Sequence, residues 1–106
     1  MNRIRTILTA AALAAGSTAY AAGSAEKGKE VFDQCSVCHN ADSTEVKMGP
    51  GLKGLFKKKA LTSTGKPVND ANVLQKINEG GNGMPSYKDI LSDGDKANVI
   101  AYLKTL

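Results

Sequence analysis

Apolar positions recur at helical spacing in four stretches of this chain, separated by polar, Gly- and Pro-rich segments. Gly28, Phe32 and Cys35 share one helical face, with Val31 beside them. Ser24 can cap that helix and Glu26 suits its positive N-terminal end, so a helix is expected from there to about Cys35 or Cys38. Gly28 is costly in a helix interior. Either a close crossing by another helix or a fraying first turn accounts for it. Leu52, Leu55 and Phe56 repeat at i, i+3, i+4 and predict one or two helical turns, ended by Lys57-Lys58-Lys59. Asn69 or Asp70 caps the next helix, whose buried stripe is Val73, Leu74 and Ile77, and Glu79-Gly80-Gly81 stops it. Ser92-Asp93-Gly94-Asp95 is a capping-box pattern with an acid at N3. Val99, Tyr102, Leu103 and Leu106, flanked by Ile100, then form a stripe to the end of the chain. That stripe is the natural partner for Gly28 and Phe32, with Tyr102 and Phe32 supplying bulk where Gly28 lets the helices come close.

The segments between are loops. Residues 40–47 are polar. Met48-Gly49-Pro50-Gly51-Leu52 is a tight extended turn forced by the Pro and its Gly neighbours. Residues 61–68 hold Ser63, Thr64, Gly65 and Pro67 and read as loop, and residues 81–87 are too rich in Gly and Pro for helix or strand. No alternating strand of useful length and no internal repeat appears. The expectation is an all-α chain with three main helices and one or two short ones.

The N-terminus changes that picture. Asn2-Arg3-Ile4-Arg5 is a short basic region, residues 7–15 are an apolar run rich in Ala and Leu, and Ala19-Tyr20-Ala21 is an A-x-A site. This is the pattern of a secretory signal peptide, residues 1–21, too short and too weakly apolar for a transmembrane span. An amphipathic helix belonging to the fold is the competing reading. Residues 22–106 then make one small domain. A domain of that size builds a thin core and often needs a staple. The 106-residue chain carries a formal net charge of +4. Both arginines leave with the leader, so the mature charge falls to roughly +2. Without Arg, and with no aromatic–basic interleaving, nucleic acid is rejected as a partner.

The chemistry lies in Cys35-Ser36-Val37-Cys38-His39, which contains the only two cysteines and the only histidine. C-x-x-C-H reads as covalent attachment of a c-type haem through two thioethers, with the imidazole as proximal ligand. A structural disulfide would close a very tight loop and staple little. A thioredoxin-like pair needs a βαβ setting, and a zinc site wants four ligands. A ligating His usually gives its other N–H to a carbonyl or carboxylate, and the Pro50 carbonyl is the candidate acceptor from His39, unless Pro50 is a plain turn proline. Met84, in the loop 81–87, is placed to offer a thioether to iron from the face opposite His39. It could instead be a core plug. Its competitor Met48 lies nine positions past His39 in the loop expected to support the proximal face, from which reaching over the haem edge is awkward.

The ordered set resembles the class I (mitochondrial-type) c-type cytochromes in their small single-haem bacterial form. It is carried by Gly28 and Phe32; by Cys35, Cys38 and His39; by Gly49-Pro50-x-Leu52-x-Gly54-Leu55; by Gly83-Met84-Pro85; and by Val99-Ile100-Ala101-Tyr102-Leu103. The resemblance implies a class I cytochrome c fold around one haem c, with His39 and Met84 as axial iron ligands and Cys35 and Cys38 as attachments. It also implies that Pro50 supports His39 and that Tyr87 packs close to the haem. Two features depart from the family. The mature chain has neither Arg nor Trp for the haem propionates, and residues 57–69 lack a recognisable haem-contact signature. The function implied is one-electron transfer by a periplasmic, monomeric carrier between redox partner proteins, with Lys47, Lys53 and Lys57 to Lys59 available to steer acidic partners. A five-coordinate haem with peroxidase-like or gas-sensing activity is the rival.

Overall fold

A computed structural model describes residues 23–106. The expected leader, residues 1–21, lies outside the described residues. Three α-helices follow in order: α1 (Ala25–Phe32), α2 (Asp70–Glu79) and α3 (Asp93–Leu103), with a short 3₁₀ helix at Leu55–Lys57 between the first two. Among the described residues there are no strands, only isolated bridges such as His39 with Val46 and Ala60 with Pro67.

Each α-helix starts where a side chain can satisfy an orphan amide. Ser24 accepts from the Lys27 amide at 3.3 Å, Asn69 from Asn72 at 2.8 Å and Ser92 from Asp95 at 3.1 Å. Of the two expected caps for α2, Asn69 is the one used. α1 stops at Phe32, short of the expected Cys35. The reason is a tightening of the backbone: the Asp33 amide bonds back three residues, to Glu30, at 3.2 Å. Turns then carry the chain through the cysteines, with Cys35 N–H on the Phe32 carbonyl at 2.8 Å and His39 N–H on the Cys35 carbonyl at 3.0 Å. The short helix also begins later than expected, after Gly54, whose φ of 72° sets Leu52 outside it. α3 ends at Leu103, and residues 104–106 form a turn that places the Leu106 carbonyl 2.9 Å from the Gly54 amide.

The crossing of α1 and α3 is the frame of the molecule. A Cβ at Gly28 would run into the Asn98 carbonyl and stand 2.8 Å from Tyr102 Cβ, so only glycine lets the helices meet there. Phe32 and Tyr102 stack beside it, ring centroids 5.3 Å apart and tilted by 54°. The Ser24 amide donates to the Asn98 side chain at 2.8 Å and ties the start of α1 to α3.

The core is thin: Phe32, Leu55, Val73, Ile77, Leu91, Val99, Ile100 and Leu103. One feature was not legible from the sequence. Lys96 is only 6 % exposed, and its Nζ donates to the Lys88 carbonyl at 2.9 Å, pinning the turn before α3 to the helix. Among the described residues no helix is long and apolar enough to cross a membrane.

Candidate functional site

The core opens into a cleft of about 240 Å³. Leu55, Val73, Ile77 and Leu103 belong to both the core and the cleft lining. Cys35, Cys38, His39, Met48, Pro50, Met84 and Tyr87 all line it as well. The fold therefore gathers every residue that the sequence singles out for chemistry around one apolar space.

The turns after α1 present Cys35 and Cys38 as free, half-buried thiols. Burial pushes the Cys35 thiol above its ordinary pKa, and neighbouring Cys38 adds to the shift. Among the described residues no three His, Cys, Asp or Glu side chains gather to hold a metal ion.

His39 is held by the loop that follows it. Gly49 donates its amide to the Cys38 carbonyl at 2.8 Å, and Leu52 donates to Asn40 at 2.8 Å, so residues 40–52 fold back on the motif. His39 Nδ1 then lies 2.7 Å from the Pro50 carbonyl oxygen. A carbonyl can only accept, so Nδ1 carries the hydrogen and Nε2 keeps its lone pair. Gly49 makes the approach possible: a Cβ there would stand 2.9 Å from Nδ1 and 3.0 Å from Nε2.

The two methionines are held differently. Met48 is 80 % exposed, with its sulfur 3.9 Å from Cys38 Sγ. Met84 is half-buried and closes a two-residue turn: Gly81 N–H to Met84 O is 2.9 Å and Met84 N–H to Gly81 O is 3.1 Å. Asn82 and Gly83 between them have φ of 54° and 89°. Positive φ at both central positions is the type I′ hairpin turn, for which Asn-Gly is the preferred pair. The composition marked this stretch as loop; the Asn-Gly dipeptide was the available signal for its shape. Gly80 before it also has positive φ, 66°, and ends α2.

Tyr87 is anchored by its amide, 2.9 Å from the Ile77 carbonyl. Burial raises its phenol pKa, and the Cys35 and Cys38 sulfurs add to the rise. Polar residues of the lining include Lys58, Thr62, Ser63 and Lys76. Thr62 and Ser63 come from the loop 57–69 that carried no signature, so this segment does reach the cleft.

The donor set fits a haem. Two sulfurs at attachment spacing, an imidazole whose Nδ1 is engaged by a hydrogen bond so that Nε2 is free, and a thioether on a closed turn surround an apolar cleft in a domain whose own core is small. In comparison with known proteins, the family model described as Cytochrome c matches residues 25–106. The chain is similar to cytochrome c2 of Rhodomicrobium vannielii, 31% identical over 121 residues, covering 99% of this chain and 97% of that protein. It is similar also to cytochrome c6 of Leptolyngbya boryana, 37% identical over 80 residues, covering 74% of this chain and 88% of that one. Among solved structures, cytochrome cH from Methylobacterium extorquens superposes with a TM-score of 0.60 at 27% identity, covering 79% of this chain and 100% of the other. Cytochrome c6 from the diatom Phaeodactylum tricornutum gives 0.62 at 24% identity, covering 78% and 93%, a likeness of fold alone.

Proposed function

This chain belongs to the cytochrome c family, and from that premise we propose that it passes single electrons between redox proteins of the periplasm through a haem ligated by His39 and Met84. Its fold is the all-α class I cytochrome c fold, its cofactor is covalently bound haem c with iron, and it is an electron-transfer protein rather than an enzyme. When bound, the haem supplies a one-electron ferrous/ferric couple.

Cys35 and Cys38 would each add S–H across a vinyl group and so fix the haem to the end of α1. His39 would give Nε2 to the iron. The Pro50 carbonyl holds the opposite nitrogen protonated, which fixes the ring plane and makes the imidazole a better donor. Met84 would offer its thioether to the iron from its type I′ turn, as the second protein ligand beside His39. A thioether and imidazole ligand pair would favour the ferrous state relative to more basic ligands, and the apolar cleft would do the same by disfavouring the ferric charge. Leu55, Val73 and Ile77 would exclude water from the cleft, and Tyr87 would pack near the thioethers. Lys47, Lys53 and Lys57 to Lys59 are exposed and can steer an acidic partner. Export would require removal of residues 1–21.

The observation that carries this reading is the 2.7 Å contact of His39 Nδ1 with Pro50, which leaves Nε2 as the free donor nitrogen in a cleft that Met84 also lines. The test is intact mass and a pyridine haemochrome assay on the exported protein. One haem per chain, retained after acid denaturation, is expected. A colourless, folded product would overturn the reading.

A further inference from the structure

Lys76 sits in the last turn of α2, half-buried, and its ammonium reaches past the end of its own helix. Nζ donates to the Gly80 carbonyl at 3.1 Å and to the Gly81 carbonyl at 3.3 Å. The Gly80 carbonyl is at the C-cap of α2, where a helix leaves acceptors unsatisfied and its dipole favours a cation. The Gly81 carbonyl is also the one that accepts the Met84 amide and closes the Met84 turn. A Cβ at Gly81 would come 3.7 Å from Nζ, so the ammonium lies close against this backbone. The ion pairs among the described residues are Lys96 with Asp93 and Lys104 with Asp70. Lys76 is not in them, and its charge is directed to the turn.

The far side of the turn returns to α2: a Cβ at Gly80 would run into the Met84 and Pro85 carbonyls, and the Tyr87 amide donates to Ile77 at 2.9 Å. Its tip is open, with nothing within 4 Å of a Cβ built at Gly83, and a two-residue hairpin on its own is marginal in water, so the Gly81 side depends on Lys76. Hydrogen bonds from an ammonium are roughly twice as strong as neutral ones. We infer that Lys76 is a positioning residue, clamping the Gly81–Met84 turn to the end of α2 so that the Met84 thioether stays in the cleft. This rests on the reading of Met84 as an iron ligand. It adds that ligation is stabilised by a charge on the preceding helix, through backbone carbonyls rather than by contact with iron.

The experiment uses the haem-loaded protein with Lys76→Met and Lys76→Arg. Displacement of Met84 by added imidazole is followed through the methionine-to-ferric charge-transfer band. It is expected to run about tenfold faster in Lys76→Met, and near the parent rate in Lys76→Arg, which keeps the charge and the donors. Equal rates in the parent and Lys76→Met overturn the clamp. Amide exchange in the ferrous protein separates positioning from general loosening. The Met84 amide should exchange faster in Lys76→Met while Val99 and Ile100 in α3 keep parent rates; uniform acceleration, or none at Met84, overturns the inference. If the parent itself lacks the band, the ligand reading fails, and Met84 amide exchange alone then decides the clamp.

Discussion

His39 Nδ1 lies 2.7 Å from the carbonyl oxygen of Pro50, eleven positions later in the chain. The contact exists because Gly49, next to the proline, has no side chain to push the ring away. A backbone acceptor from a residue without an amide donor thus fixes the tautomer of the only histidine.

Gly49→Ala tests that support. The new Cβ would crowd Nδ1 and weaken the bond to Pro50, making the imidazole a poorer donor and the ferric state less favoured. Loss of about 1 kcal/mol on the ferric side raises the reduction potential by roughly 40 mV. Voltammetry on the loaded protein reads this; a potential equal to the parent's would show that the contact does not tune the iron.

Gly28→Ala should destabilise the protein by about 2–3 kcal/mol. The added methyl meets backbone on α3, so the helices must move apart rather than a side chain swing aside. Chemical denaturation measures the loss, and the visible spectrum should be unchanged because Gly28 is not among the cleft-lining residues. A stability equal to the parent's would mean that the crossing is looser than described.

Gly83→Val should cost about 1–2 kcal/mol, the penalty of a left-handed backbone for a residue with a Cβ. Space is open around Gly83, so the cost is purely conformational. Asn82→Gly, which keeps the turn, should cost far less. Equal losses for the two variants in denaturation would count against the type I′ turn.

Tyr87 sets a pH dependence. Its folded pKa is raised, first by burial and then by the thiols, so the folded state holds the phenol proton more tightly than the unfolded chain does. Stability is therefore unaffected below the ordinary phenol value of about 10 and is lost as pH rises above it. Haem attachment consumes the thiols and leaves burial as the cause. Melting temperatures measured from neutral pH upward should fall less steeply in Tyr87→Phe than in the parent at the alkaline end; identical profiles would contradict this.

The helix starts were legible in the sequence because a cap is a local event: Ser24, Asn69 and Ser92 each bond an amide three residues on. The Gly28 crossing was legible because a glycine on a helical apolar face has few other uses. The end of α1 was not. Its backbone changes from four-residue to three-residue bonding at Asp33, with no Gly or Pro to mark it. The burial of Lys96 was hidden for a different reason. Its acceptor is a backbone carbonyl eight residues away, and no side-chain pattern announces a carbonyl. The Met84 turn lay between these cases, since Asn82-Gly83 names its geometry but composition alone reads only as loop. The clamp from Lys76 depends on where α2 ends, because only that end brings the Gly80 and Gly81 carbonyls within reach of the ammonium, and no side-chain pattern marks that contact.

The most direct measurement is the ferric spectrum of Met84→Ala beside that of Met48→Ala. Met84 is half-buried on a closed turn, whereas Met48 is 80 % exposed beside Cys38. The methionine-to-iron charge-transfer band is predicted to disappear in Met84→Ala and to persist in Met48→Ala. A band that survives in Met84→Ala and is lost in Met48→Ala would contradict the ligand set on which electron transfer through this cleft depends.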